Sequence, residues 1–131
     1  MNQKTFSPEK PLLRGAFFIY IVMKKHYLIL GGQANGKTYL SKIIANSIGN
    51  YVFIDGRHIG FSSFNKDTDC IIIDDVTKSN FYDSISFINS VKVDKKYENP
   101  FYINPSIIIN CNFEVELTPS ILSNFNVIDI K

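Results

Sequence analysis

The sequence predicts a three-layer α/β/α domain built on a five-stranded parallel sheet, and three observations carry that prediction. Five short apolar runs, Tyr27–Leu30, Tyr51–Ile54, Cys70–Ile73, Ser106–Ile109 and Val127–Ile130, are β-branched or aromatic and barely alternate. Continuous apolar character is what a parallel strand covered on both faces requires. The segments between the runs are long enough for crossover connections, and a glycine-rich stretch follows the first run and leads into a segment of helical period.

That stretch, Gly31, Gly32, Gln33, Ala34, Asn35, Gly36, Lys37 and Thr38, matches the pattern G-x-x-x-x-G-K-[ST] in the strand–loop–helix order that a phosphate-binding loop needs. Glycines let backbone N–H groups turn toward phosphate oxygens where a Cβ would obstruct the approach. Lys37 adds a mobile positive charge for the β and γ phosphates, and the Thr38 hydroxyl can complete a Mg²⁺ shell otherwise made of carboxylate and water. The predicted nucleotide-contacting set runs from Gly31 through Tyr39, which makes the expected fold a P-loop NTPase binding ATP with Mg²⁺. In the helix that follows, Leu40, Ile43, Ile44 and Ile48 are expected on the buried face, with Lys37, Ser41, Lys42 and Asn46 elsewhere. Gly49 supplies its stop.

The third run ends in two carboxylates, Asp74 and Asp75. Ligands of open α/β sheets gather at the carboxyl ends of strands, so these acids are expected to face the glycine-rich loop. Asp74 then binds Mg²⁺, directly or through water, and Asp75 orients and deprotonates the attacking water. Two adjacent acids leaving a strand also describe a solvated turn, and the loop upstream is what separates the two readings. The fourth run ends in Asn110, Cys111 and Asn112, where an amide can donate to the γ-phosphate or the lytic water. Either asparagine fits; Asn112 is taken as the sensor, with Lys37 and Asp75, in the catalytic set.

Elsewhere the signals are structural. Residues 55–69 are polar with room for only a short helix, and Ser79 is expected to cap a helix whose Phe81, Ile85 and Ile88 share a face. Alternation from Val91 to Glu98, a turn at Asn99-Pro100 and renewed apolar character at Phe101–Ile103 read as a hairpin. Lys92, Lys95 and Lys96 on that hairpin can meet phosphates while Tyr97, Phe101 or Tyr102 stack on bases; a solvated edge hairpin is the competing reading.

Composition bounds the rest. A chain of 131 residues, 45% of them hydrophobic, can bury one core but not two. A net charge of +2 is too weak to imply nucleic-acid binding without local placement. Cys70 and Cys111 sit inside apolar runs without a second ligand at metal spacing, which predicts buried thiols in a reducing, cytoplasmic setting and no secretion. His26 and His58 are isolated and expected to serve packing or solvent contact. The eight residues Ala16–Met23 are apolar but too short to span a bilayer. Residues 1–22 are expected to form an arm outside the functional core, and 23–131 the ATPase domain. With arginine only at 14 and 57, a small-molecule phosphotransferase is disfavoured, because such enzymes surround two phosphorylated ligands with several arginines.

Over residues 26–130 these motifs resemble the superfamily 3 replication helicases, the AAA-type motor of Rep-like initiators in small DNA viruses and plasmids. Gly31–Thr38 is similar to the family's phosphate loop, Ile71–Asp75 to its acidic strand, Pro105–Asn112 to its asparagine-ending sensor motif and Val91–Lys96 to its basic hairpin. The resemblance implies a strand order of 5-1-4-3-2, a hairpin before the fourth core strand, hydrolysis of ATP, and a ring, usually a hexamer, gripping single-stranded or replicating DNA through Lys92, Lys95 and Lys96. Two departures accompany it. Leu122-Ser-Asn124-Phe125 stands where the family carries an arginine, and no nicking or origin-binding domain precedes the motifs. The sequence therefore supports two functions: a DNA-handling ATPase, or a hydrolysis-impaired regulatory module that joins a partner replication protein supplying the missing parts.

Overall fold

The structure, a computed structural model, describes residues 24–32 and 36–130. The expected arm over residues 1–22, and Gln33, Ala34 and Asn35 of the glycine-rich loop, lie outside the described residues.

The elements run β1 (His26–Leu30), α1 (Lys37–Ile48), β2 (Tyr51–Asp55), β3 (Cys70–Asp74), α2 (Lys78–Ser86), β4 (Val91–Val93), β5 (Phe101–Ile103), β6 (Ser106–Cys111), α3 (Pro119–Asn124) and β7 (Phe125–Asp129). Five strands form one sheet in the order β2-β3-β6-β1-β7, and every neighbouring pair is parallel. Counting only these core strands along the chain, β6 is the fourth and β7 the fifth, so the sheet reads 5-1-4-3-2 from the β7 edge, as the resemblance implied. The hairpin of β4 and β5 is a separate antiparallel pair inserted before the fourth core strand.

Burial explains the order. Ile71, Ile72 and Ile73 of β3 and Ile107, Ile108 and Ile109 of β6 are inaccessible to solvent, as strands covered on both faces must be. One face packs Ile29, Cys70, Ile72 and Ile108 against Ala45 of α1. The other buries Leu28, Ile71, Ile73, Ile107 and Ile109 with Phe64, Phe81 of α2, and Val91, Val93 and Ile103 of the hairpin. The hairpin is thus half core and half surface: alternation sends Lys92 and Tyr102, a cross-strand pair, outward.

Three expectations need correction. In α1 Leu40, Ile44 and Ile48 pack against the sheet as expected, but the fully buried positions are Lys37, Ser41 and Ala45, spaced by four, and Ile43 is 50% exposed. Small side chains at 41 and 45 let the helix backbone approach the sheet, which turns the larger Ile43 off the contact line. The cap of α2 is Thr77, whose extended backbone and Oγ1, accepting from the Asn80 N–H at 3.2 Å, meet the geometry of an N-cap; Ser79 lies inside the first turn. That helix ends at Ser86, so Ile88 packs from the turn beyond it. Residues 55–69 form turns without a helix. Gly49 caps α1 as expected, donating to the Ala45 carbonyl at 3.1 Å. A six-residue helix, α3, starts at Pro119 behind a Thr118 cap.

Both cysteines are buried free thiols, pushed up to about 12 by desolvation, which keeps them unreactive. Among the described residues no helix is long and apolar enough to cross a membrane.

His26 has a structural role that composition alone could not assign. Its Nδ1 accepts the Ile107 N–H at 3.0 Å, and its ring lies 5.8 Å from that of Phe125, so one side chain ties β1 to β6 and β7. Burial first, and the Lys25 charge second, lower its pKa from 6.5 to about 4. The unfolded chain takes up a proton near pH 6.5 that the folded chain refuses, so this contribution is full above pH 6.5 and lost as pH falls through about 4. Its size is on the order of 3 kcal/mol. We therefore expect the midpoint of thermal unfolding to fall more steeply from pH 7 to pH 5 in the wild type than in His26→Asn, which keeps an acceptor and removes the titration. Equal slopes would take His26 out of the acid response.

Candidate functional site

A sheet of five parallel strands presents all its carboxyl ends on one edge, and there the expected residues meet. β1 runs into Gly31 and Gly32, and the chain returns at Gly36 in the left-handed region, φ 91° and ψ 9°, a conformation that favours glycine and delivers Lys37 directly into α1. Lys37 is only 6% exposed, with its ammonium donating to the carbonyls of Gly31, at 3.1 Å, and Gly32. The cation is therefore held against the backbone that leaves β1.

At the second residue of α1, Thr38 Oγ1 donates to Asp74 Oδ1 at 2.9 Å. Register explains the meeting. Ile73 pairs with Ile109, which sets Asp74 beside Asn110, and the pleat turns both toward α1 along with Ile72 and Ile108. Asn110, wholly buried, donates from Nδ2 to the same Asp74 Oδ1 at 2.9 Å and lies 3.1 Å from Ser41 Oγ, which itself donates to the Thr38 carbonyl at 2.8 Å. Beyond the strand ends, Asn112 Nδ2 donates to Asp75 Oδ1 at 2.6 Å. Asp75 has φ 57°, a conformation uncommon outside glycine and costing about 1 kcal/mol or more.

The two asparagines, alternatives in the sequence, are thus divided between the two acids: Asn110 serves Asp74 and Asn112 serves Asp75. Each leaves a buried Oδ1 without a hydrogen-bond partner. The Thr38 hydroxyl and the Asp74 carboxylate, which meet directly, are hard oxygens of the kind that could hold a divalent cation. Among the described residues no group of three or more His, Cys, Asp or Glu could cage a metal. A cation held by Thr38 and Asp74 would draw its remaining ligands from water and phosphate, as Mg²⁺ does in phosphoryl-transfer sites.

A cavity of about 500 Å³ opens beside the loop, lined in part by Leu30, Gly31, Gly32, Asn112, Phe113 and Asp129. Its size and mixed lining suit a small organic ligand. Tyr39, by contrast, is 73% exposed on α1. Lys92, Lys95 and Lys96 belong to the hairpin, whose chain enters β6 at the end opposite Asn110. Lys92 pairs across the strands with the exposed Tyr102, and Lys96 Nζ stands 5.2 Å over the ring of Tyr97.

Two neighbours of the acids went unread in the sequence. Arg57, two residues past β2, forms an ion pair with Asp55 at 2.8 Å, and its Nε lies 3.9 Å from Asp75 Oδ2. The guanidinium hydrogen bonds hold the Asp55 carboxyl down at about 2. Gly56 donates to the Asp74 carbonyl at 2.6 Å, and a Cβ there would stand 2.6 Å from Val76 N and 2.8 Å from Asp74 O. The available signal was Asp55-Gly56-Arg57 at a strand's carboxyl end, a glycine between two charges where ligands gather.

No family model matches the chain, and no curated protein matches it. Solved structures do: 29 chains match, among them the apo structure of the NrS-1 C terminal region (305-718), at a TM-score of 0.52 and 17% identity. The alignment covers 87% of this chain and 32% of that one, so the chain spans about a third of the NrS-1 region it matches. At this identity the likeness concerns the fold.

The close approach at Gly56 is directly checkable. Gly56→Ala should destabilise the protein by about 1–3 kcal/mol, the usual cost of overpacking, because the obstruction is backbone and cannot swing away. Gly60→Ala, whose Cβ would meet nothing within 4 Å, should change urea stability little. Similar midpoints for both variants would refute the steric assignment.

Proposed function

We propose that this chain binds and hydrolyses ATP with Mg²⁺ and couples that reaction to DNA. The observation that carries the reading is the meeting of Thr38 and Asp74 at 2.9 Å, next in sequence to a Lys37 whose ammonium is held by the Gly31 and Gly32 carbonyls. Strand order and hairpin placement agree with it, and the fold likeness to the NrS-1 region supports the scaffold.

In this reading Lys37 exchanges its carbonyl partners for the β and γ phosphate oxygens. Thr38 and Asp74 hold magnesium, which when bound neutralises phosphate charge. Asp75 accepts a proton from the attacking water as the water oxygen bonds to the γ-phosphorus and the bond to the bridging oxygen breaks. Asn112 fixes the Asp75 carboxylate and, through its unpaired Oδ1, registers what occupies the space beyond. On the hairpin, Lys92, Lys95 and Lys96 contact DNA phosphates while Tyr97, Phe101 and Tyr102 offer faces to unstacked bases. A ring of copies around the strand is the assembly the family resemblance implies.

A second reading, a hydrolysis-impaired module that works through a partner replication protein, is favoured by the absence of arginine in α3 and at its junction with β7.

Binding and turnover separate the two. Lys37→Ala should weaken Mg-ATP binding by at least about tenfold, by calorimetry, through loss of a charge-assisted phosphate contact. Asp75→Asn should bind ATP normally and lower kcat by about 10²–10⁴, the share of a general base. ATP binding by Lys37→Ala equal to wild type would overturn the nucleotide reading; binding without turnover in wild type would favour the regulatory module.

The hairpin has its own test. Lys95→Ala combined with Lys96→Ala should weaken single-stranded DNA binding and reduce the slope of log K against log salt by about 0.7 per lost phosphate contact, leaving ATP affinity unchanged. An unaltered salt slope would remove the hairpin from DNA contact.

A further inference from the structure

The acid edge has a cation that the nucleotide reading leaves unused. Arginine occurs in the chain only at 14 and 57, and Arg57 stands at the carboxyl end of β2, next to the strand that carries Asp74 and Asp75. Its backbone is clamped on two sides. Gly56 donates to the Asp74 carbonyl at 2.6 Å, while Asn80 Nδ2 of α2 reaches the carbonyls of Gly56 at 2.9 Å and Arg57 at 3.4 Å.

The side chain is held differently. Arg57 Nε lies 2.9 and 3.2 Å from the two Asp55 oxygens and Nη2 lies 2.8 Å from one of them, but the pair is open to water, 60% and 40% exposed. An exposed ion pair contributes little and exchanges readily. A guanidinium offers a planar fork that matches phosphate oxygens in two parallel hydrogen bonds. A fixed backbone with an exchangeable side chain, 3.9 Å from Asp75, suits a cation that can turn from Asp55 to an anion arriving beside the acid edge.

Charge makes the same demand. Asp55, Asp74 and Asp75 already outnumber Lys37 and Arg57, and a triphosphate adds several further negative charges. Charge spread over the γ-phosphoryl oxygens in the transition state needs a donor near Asp75.

We propose that Arg57 acts on the γ-phosphate of the nucleotide bound by its own chain: its guanidinium parts from Asp55 and donates two N–H hydrogen bonds to the phosphoryl oxygens. This rests on the nucleotide reading above. Arg57 moves no proton: the water oxygen bonds to phosphorus, the bridging-oxygen bond breaks with its electron pair leaving on ADP, and Asp75 takes the water proton. The missing arginine of α3 is then replaced from within the chain and not from a neighbouring copy.

The test compares wild type, Arg57→Ala and Arg57→Lys in steady-state ATPase and Mg-ATP binding, then mixes Arg57→Ala with Lys37→Ala. Arg57→Ala should lose about 10³-fold in kcat, the lower bound for loss of such an arginine, while ATP affinity stays within threefold. Arg57→Lys should recover less than a tenth of the loss, since a point charge lacks the fork. Because the group is exposed, thermal midpoints of both variants should match wild type, and this is measured alongside. Mixing should restore nothing. Turnover by Arg57→Ala within threefold of wild type would sink this inference alone, with the nucleotide reading intact. Restored activity on mixing would place Arg57 in a neighbour's site and equally overturn it. Wild type that binds no ATP would sink both, and wild type that binds ATP without turnover would sink the catalytic role of Arg57 while sparing nucleotide binding.

Discussion

Much of this molecule's chemistry converges on one atom, Asp74 Oδ1, which accepts from Thr38 on α1 and from Asn110 on β6 at 2.9 Å each. Three elements with no sequence adjacency, the helix after the glycine-rich loop, the acid strand and its neighbour, are joined at a single carboxylate oxygen. Hydrogen bonds to a charged group contribute about 1.5–3 kcal/mol each, more than neutral ones, so the junction is stable as well as directional. It is possible because the strands are parallel. Only then do β3 and β6 deliver their last residues to the edge where α1 begins.

The same edge is poorly optimised as mere structure. Asn110 and Asn112 each keep a buried oxygen without a protein partner, and Asp75 holds a left-handed backbone. The core a few residues below shows none of this: isoleucines on β3 and β6 are wholly buried and complementary. Unsatisfied groups concentrated at one edge of an otherwise well-packed sheet set that edge apart from the core.

Much of this was legible in the sequence because it is periodic or local. Unalternated apolar runs located the five strands, most directly β3 and β6, where burial on both faces leaves little room for polar residues. Lys37, Thr38 and Asp74 could be brought together on paper because strand–loop–helix order and the carboxyl-end rule constrain them. What escaped depended on contacts between distant segments. Ile43 looks like a core residue, yet the small Ser41 and Ala45 draw the helix in along a different line. Asn110 and Asn112 were indistinguishable until the β3–β6 register assigned each an acid. Gly56 is an ordinary turn glycine in the sequence, and only the path of β3 shows that backbone passes where its Cβ would be. His26 likewise carries no local mark of the bond it accepts from Ile107, 81 residues away.

β6 is the strand that sees both ends of the molecule. Its six residues are all buried, it follows the hairpin after only Asn104 and Pro105, and at its far end Asn110 within it and Asn112 just beyond it hold Asp74 and Asp75. At about 3.3 Å per residue it is a rod of roughly 20 Å, clamped by hydrogen bonds to β1 on one side and β3 on the other. A member so embedded has no slack along its length. The lysine-bearing ribbon and the acid edge, though far apart, are thus joined through a single fully buried strand.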